Sequence, residues 1–166
     1  MSFSSRTSKR TLILTAIKNV NFGYNGLYKS GAVRKKLTYL NEIEVLNLNG
    51  NYISRFPLKM FANQPFITEL SVNSNFIYAL PSDLFDYTEQ LEVLDMKNNN
   101  IKELPQTTFL NTKALRQIDF SNNNLDTICK GLFAYQECFN IDIIRLSSYC
   151  SDGVSNSCLL GDALSQ

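Results

Sequence analysis

One unit of sequence recurs along the chain at a constant spacing, and this period constrains the fold more than any other feature of the sequence. One asparagine recurs in each repeat, at Asn51, Asn75, Asn99 and Asn123. One phenylalanine recurs with the same spacing, at Phe61, Phe85, Phe109 and Phe133. Each unit reads LxxLxLxxNxLxxLPxxxFxxxxx, and a fixed period of this length predicts a stack of similar structural units.

The strong repeats are flanked by weaker copies of the same unit. The predicted parts of the chain are, in order, a basic N-terminal arm (1–16), a degenerate first repeat (17–42), four strong repeats (43–140), a terminal strand (141–149) and a cysteine-containing C-terminal tail or cap (150–166). The predicted repeat domain therefore spans residues 17–149. Tyr149 stands where the terminal copy should have its asparagine, as expected for the last unit of a stack.

Each unit contains one short stretch that alternates between apolar and polar residues, which is typical of a β-strand. In the first strong repeat this alternation points Leu46 and Leu48 inward, and Val45, Asn47 and Asn49 outward. One unit alone cannot bury its apolar face, so successive units should stack as about six parallel strands around a continuous core. We expect the recurrent asparagine to bond backbone groups of its own and the neighbouring turn, and the phenylalanines to form a buried spine.

Four segments carry the motif, with Cys129 in the proline slot of the last: NLNGNYISRFPLKMF, SVNSNFIYALPSDLF, DMKNNNIKELPQTTF and DFSNNNLDTICKGLF. They resemble the leucine-rich repeat family, in particular its 24-residue class with the LPxxxF motif. This class occurs in animal Toll-type receptor ectodomains, small leucine-rich proteoglycans and secreted immune recognition proteins. The resemblance implies an α/β solenoid, a right-handed horseshoe with a short parallel sheet on its concave face and an irregular or short-helical convex side.

The outward positions of the strands form a continuous surface on rigid elements, and function in such an architecture is usually found there. We therefore predict non-enzymatic recognition of a protein partner through the concave face, in a receptor or innate-immune setting as the resemblance implies. The predicted partner-binding residues are Val45, Asn47, Asn49, Glu69, Ser71, Asn73, Val93, Asp95, Lys97, Gln117, Asp119, Ser121 and Arg145. An intracellular leucine-rich repeat adaptor is the alternative within the same class of function.

The composition argues against most enzymatic and metal chemistry. The chain has no histidine, which removes Ser-His-Asp and Cys-His catalysis and every zinc site that needs imidazole. Asp95 and Asp119 should lie on adjacent strands, about 5 Å apart, near the separation used by retaining glycosidases. A glycoside hydrolase that uses this pair, or a calcium contact, is a remote alternative to a like-charge pair relieved by Lys97 and Arg145. We predict no catalytic residues, no metal site and no cofactor.

Charge is distributed unevenly along the chain. Residues 1–36 hold eight basic side chains and no acid, so they sum to +8, while residues 37–166 sum to −7. The basic end lacks the interleaved aromatic residues of a nucleic-acid-binding surface, so we predict no nucleic-acid partner. The sequence contains no apolar run long enough to cross a bilayer, which predicts no transmembrane helix.

All four cysteines fall towards the C-terminal end, at Cys129, Cys138, Cys150 and Cys158, with a spacing that matches no paired C-x-x-C metal knuckle. A disulfide cap that closes the final coil is the favoured interpretation, and free thiols or a four-thiolate metal site are the others. Family resemblance and a disulfide cap favour an extracellular location. We expect no signal peptide in MSFSSRTSKRTLILTAI, and this expectation favours the cytoplasmic alternative.

Overall fold

The structure is a computed structural model that describes residues 17–28, 30–126, 132 and 143–145. The predicted N-terminal arm, the C-terminal tail, Phe133 and all four cysteines lie outside the described residues. The proposed disulfide cap therefore stays a prediction. The strong repeats and the degenerate first repeat fall largely within the described part of the chain.

One parallel sheet organises the molecule. Its six strands are β1 (Asn19–Asn21), β2 (Val45–Asn47), β3 (Glu69–Ser71), β4 (Val93–Asp95), β5 (Gln117–Asp119) and β6 (Ile143–Arg145). Each strand pairs in parallel with the next strand along the chain, so the sheet order is the chain order. Parallel neighbours need a long connection, and the remaining residues of each repeat provide it. This arrangement confirms the predicted solenoid with a short parallel sheet.

The sheet register follows the repeat without a shift. The central residues Leu46, Leu70, Leu94 and Ile118 are direct partners on successive strands, and all four are fully buried. A second inward column, two residues further on, runs through Leu48, Val72, Met96 and Phe120, each at 0% exposure. These two apolar columns belong to one core that continues from coil to coil.

The recurrent asparagines are buried and bond the backbone as predicted. The Asn99 side chain is typical: its Nδ2 donates to the carbonyl oxygens of Val72 (3.1 Å) and Met96 (3.0 Å), and its Oδ1 accepts from the backbone N–H of Ile77 (3.0 Å). Asn75 and Asn123 make equivalent bonds in their own repeats. Each asparagine thus links two neighbouring coils at a place where the chain leaves the sheet and ladder bonds end.

Phenylalanines stack along the side of the core that lies away from the sheet. The rings of Phe61 and Phe85 are 6.3 Å apart between centroids, and those of Phe85 and Phe109 are 5.9 Å apart, with nearly parallel planes. All three side chains are buried. They confirm the predicted spine for the three repeats in which this phenylalanine is described.

The chain between β1 and β2 contains α1 (Ser30–Leu37), the one helix in the described part of the chain. Val33 and Leu37 lie four residues apart on the same helix face, and both are buried against the core. The connections between later strands are made of turns, for example where Leu84 N–H donates to Pro81 O and Thr108 N–H to Pro105 O. A convex side of turns and one short helix agrees with the predicted fold class. Within the described residues, no helix combines the length and the apolar character that crossing a membrane requires.

Candidate protein-binding face

The outer face is the side of the sheet turned away from the core, and the strand register arranges its side chains in columns. One column contains Val45, Glu69, Val93 and Gln117, and Ile143 continues it on β6 by backbone register. The middle column contains Asn47, Ser71, Asp95, Asp119 and, by backbone register, Arg145. Just beyond the strand ends, Asn49, Asn73, Lys97 and Ser121 form a third column, joined by backbone hydrogen bonds between coils. The predicted partner-binding residues thus lie in three adjacent columns.

Three side chains of the middle column also hold the ends of their strands. Asn47 Oδ1 accepts a hydrogen bond from the backbone N–H two residues further on (2.9 Å). Asp95 Oδ1 and Asp119 Oδ1 do the same, at 3.1 and 2.9 Å. Asparagine and aspartate commonly form such local bonds where a strand turns. These side chains therefore have a structural task that the sequence analysis missed, although their recurrence at the strand end was visible.

Side chains at the ends of β3 and β4, and just beyond the ends of β2, β3 and β4, form a network across the outer face. Asn49 Oδ1 accepts from Ser71 Oγ and from Asn73 N–H, both at 2.8 Å. Asp95 Oδ2 accepts from Asn73 Nδ2 at 2.6 Å and from Ser71 Oγ at 3.2 Å. Lys97 Nζ lies 3.7 Å from the same oxygen. Because these short side chains restrain each other, a partner that contacts them has little side-chain freedom left to immobilise.

The outer face contains an open groove over the paired strands β4 and β5. Its volume is about 180 Å³, and side chains that line it are Val93, Asp95, Lys97, Gln117 and Asp119. Leu94 and Ile118 also line the groove, which therefore combines three apolar residues with charged and amide groups. Glu69, on the preceding strand β3, is exposed.

Asp95 and Asp119 are direct partners on β4 and β5, as the repeat predicted. Both carboxylates accept backbone hydrogen bonds, and Lys97 accompanies Asp95 as expected for a relieved like-charge pair. In the described part of the chain, no group of three or more acidic or cysteine side chains is arranged to hold a metal ion. The position of the two aspartates is therefore explained by the turn that follows each strand.

A second charged arrangement lies at the start of the sheet. The Lys18 ammonium, just before β1, donates to a carboxylate oxygen of Glu44, just before β2. This hydrogen bond, together with the negative charge of Glu44, raises the pKa of Lys18 above its ordinary value. Arg116 and Glu92 form a similar pair before β5 and β4, with 3.9 Å between the charged atoms. Such exposed pairs orient the strand entrances but contribute little stability.

Comparison with known proteins agrees with this architecture. Residues 65–125 and 89–135 match the family profile described as leucine rich repeat. Residues 65–135 thus carry leucine-rich repeat sequence, and the described part of the chain folds as a leucine-rich repeat solenoid. Its solenoid is similar to the crystal structure of the leucine-rich repeat domain of APL1B, with 25% identity and a TM-score of 0.66 over 82% of this chain. Among curated protein sequences, none matches the chain.

Two further solved structures share this leucine-rich repeat fold. The LRIM1/APL1C complex contains a chain with 26% identity and a TM-score of 0.65, and the match covers 72% of this chain. A complex of Toll and Spatzle, described as a molecular hub in Drosophila development and innate immunity, has 21% identity and a TM-score of 0.61 over 80% of this chain. The protein spans only 41%, 22% and 20% of the matched APL1B, LRIM1/APL1C and Toll–Spatzle chains. The fold and these relatives support a protein-interaction module.

Proposed function

We propose that this leucine-rich repeat solenoid is a non-enzymatic recognition module that binds a protein partner through the outer face of its sheet. The observation that carries the proposal is the arrangement of that face. Three columns of side chains, mostly polar, stand in register on a rigid scaffold, and an open groove lies over the paired strands β4 and β5. Rigid elements that present variable side chains are the usual basis of recognition in repeat proteins.

The size of the outer face suits a protein ligand. Six strands at a spacing of about 4.8 Å extend over roughly 25 Å, which is enough for a standard interface when the flanks contribute. The charges on the face favour a partner with complementary basic groups, because the three acidic residues Glu69, Asp95 and Asp119 outnumber the two basic ones, Lys97 and Arg145. Complementary charge supports partner choice and association rate more than affinity itself.

The experiment compares two charge reversals of equal size. The full chain serves as bait for partners from its native source, and the affinity of each purified partner is measured by biolayer interferometry. Glu69→Lys changes the outer face, and Asp86→Lys makes the same change of charge in the turn between β3 and β4. Gln117→Lys tests a second position, at the groove. None of these three residues caps a strand end.

We expect Glu69→Lys and Gln117→Lys each to weaken the partner at least tenfold, whereas Asp86→Lys changes its affinity less than twofold. Circular dichroism melting curves check that all variants remain folded. The proposal is refuted if both face variants bind the partner as the natural chain does. A partner lost only with Asp86→Lys would place the interface on the turns instead.

We further propose a receptor or innate-immune setting outside the cell, supported by the resemblance of the repeat unit to extracellular leucine-rich repeat proteins. The test is the intact mass of the protein from its native source, alkylated with and without prior reduction. Two disulfides among Cys129, Cys138, Cys150 and Cys158 would support the extracellular setting and the predicted cap. Four alkylatable thiols without reduction would favour the intracellular adaptor.

The glycosidase alternative is not favoured by any feature of the outer face. Asp95 and Asp119 already accept hydrogen bonds that hold their turns, and the groove beside them is open. A glycosidase needs one carboxyl group whose surroundings keep it protonated so that it can act as a general acid. We therefore propose recognition without catalysis.

A further inference from the structure

Exposed aromatic side chains form a stack on the flank of the solenoid, away from the outer face. The aromatic stack consists of Tyr28, Tyr52 and Phe76, which come from three successive coils. The rings of Tyr28 and Tyr52 are 4.8 Å apart with planes 8° from parallel, and those of Tyr52 and Phe76 are 5.9 Å apart with planes 6° from parallel. All three remain exposed, by 70%, 49% and 53%. The outer face itself has no aromatic side chain among its predicted contact residues.

The period of the repeat explains why the rings of Tyr52 and Phe76 meet. Each directly follows the buried asparagine of its own repeat. In the longer first repeat the strand register places Gly26 in this slot, and Tyr28, two residues further along the chain, supplies the third ring. The same slot contains Asn100 and Asn124 in the next two repeats, so the fold does not require an aromatic residue there. Core packing therefore does not account for the three rings, which leaves exposed apolar surface that the fold does not use.

A groove adjoins the stack at Tyr28. The flank groove has a volume of about 600 Å³, and Tyr28, Gly31, Ser54, Arg55, Phe56, Pro57 and Leu58 line it. Leu58 is 66% exposed, although it is a large aliphatic side chain. Aromatic rings beside an open groove with an apolar edge are the features that anchor protein interfaces, where a few such residues supply most of the binding energy.

The surroundings of the flank groove are basic. Arg55 lines it, and Arg34 of α1 reaches its edge, where Nη1 donates to Leu58 O at 3.4 Å. Lys59 follows Leu58 in the chain, and its backbone N–H donates to Oδ1 of Asp83 on the next coil. Residues 17–66 as a whole hold seven basic and two acidic side chains, against four basic and nine acidic ones in residues 67–126. The coils that carry the groove are therefore the positive end of the solenoid.

The geometry of the aromatic stack also favours a negatively charged ligand. Because the rings lie nearly parallel, Tyr52 has a neighbouring ring at each face, and its edge is the part left for a ligand. The edge of an aromatic ring is the positive end of its quadrupole. Ring edges and guanidinium groups thus favour carboxylates, while Leu58 and the ring surface favour an apolar side chain in the same ligand.

We propose that the aromatic stack and the flank groove together bind an acidic segment of a partner protein, one that carries aromatic or aliphatic side chains between its carboxylates. This inference rests on the proposed role in protein recognition, but it assigns a second surface. The outer face would contact the body of the partner, and the flank would hold an extended acidic segment.

The experiment uses a fluorescein-labelled random copolymer of glutamate and tyrosine as the probe, and anisotropy titration of the full chain as the readout. Polyglutamate of the same length measures the contribution of charge alone. The variant Tyr52→Ser/Phe76→Ser removes the stack, and Arg34→Gln removes one rim charge. Tyr39→Ser is the matched control, because Tyr39 is as exposed as Tyr28 but neither joins the stack nor lines the flank groove.

We expect the copolymer to bind at least tenfold more tightly than polyglutamate. The stack variant should lose this preference, Arg34→Gln should weaken both probes, and Tyr39→Ser should behave as the natural chain. Equal affinity for both probes, or a preference that survives loss of the stack, overturns the proposal. The proposal is also overturned if the chain binds phosphatidylserine vesicles more tightly than the copolymer and the stack variant abolishes this binding. That result would assign the flank to a membrane surface. Concentration-dependent self-association that the stack variant abolishes would assign the flank to a second copy and overturn it as well.

The two proposals fail separately. If a purified partner loses affinity with Glu69→Lys but not with the stack variant, the outer face is the interface and the flank proposal is wrong for that partner. The opposite pattern refutes the outer face and supports the flank. Melting curves of every variant exclude unfolding as the cause of lost binding.

Discussion

The buried asparagines are predicted to stabilise the solenoid strongly, and Asn99 gives the sharpest test. Its Oδ1 is the acceptor for the Ile77 backbone N–H, while its Nδ2 donates to three carbonyl oxygens, those of Val72, Met96 and Lys97. Each of the three oxygens also accepts a second hydrogen bond from another residue. Loss of the side chain therefore leaves one buried donor without a partner and weakens three shared bonds.

These contacts determine how much stability the variant Asn99→Ala should lose. A buried donor without an acceptor costs about 1–3 kcal/mol, and each shared bond contributes roughly 0.5 kcal/mol when its oxygen keeps another donor. We expect the free energy of unfolding to fall by about 3 kcal/mol. Asn99→Asp keeps an acceptor for Ile77 but brings a carboxylate against three carbonyl oxygens, so it should destabilise more than alanine does.

The assay is urea unfolding at pH 7, followed by far-ultraviolet circular dichroism with linear extrapolation. Asn100→Ala is the matched control, since Asn100 is the exposed neighbour of Asn99, and it should change stability by less than about 0.5 kcal/mol. The reasoning is refuted if Asn99→Ala is as stable as Asn100→Ala, or if Asn99→Asp is more stable than Asn99→Ala.

Three further predictions concern the core, one turn and one ion pair. Phe109→Ala should lower the free energy of unfolding by about 3–5 kcal/mol, because removing a fully buried ring from the phenylalanine spine leaves a cavity. An unchanged melting temperature would contradict the assigned register. Gly50→Val should lower the free energy of unfolding in urea by about 1–3 kcal/mol, since Gly50 has φ 60° and an added Cβ would meet the Tyr24 ring. Gly50→Asn should cost less, because Asn98 adopts φ 53° in the same slot of its repeat. Equal losses of stability in the two variants would be inconsistent with backbone strain. Glu44 raises the pKa of Lys18, so the pair stabilises the fold below pH 10.5, and this contribution disappears as the pH rises through the folded-state pKa. In Glu44→Gln, NMR titration should find a lower Lys18 pKa than in the natural chain. An unaltered titration would rule the ion pair out.

The repeat period predicted the core and the register because both depend only on spacing. Once Leu46 faces inward, a constant step of one repeat brings Leu70, Leu94 and Ile118 beside it, and parallel stacking allows no other register without exposing the column. The buried asparagine was predictable for the same reason, since its slot recurs where ladder bonds end.

Features that depend on side-chain conformation or on a departure from the period were missed. The first repeat is longer than the strong repeats, and its connection includes α1, which the strong repeats gave no reason to place there. The local bonds of Asp95 and Asp119 depend on how each carboxylate turns after its strand. The aromatic stack lies outside the apolar columns, so a search for core positions passed over Tyr52 and Phe76.

Carboxyl footprinting of the full chain, free and bound to a purified partner, tests most directly whether the outer face is the interface. Mass spectrometry measures how fast each exposed carboxylate is modified. The account predicts that partner binding slows the modification of Glu69, on the outer face, and leaves Asp86, in the turn between β3 and β4, unchanged. Slower modification of Asp86, with the modification rate of Glu69 unchanged, would contradict the proposal that the outer face is the interface.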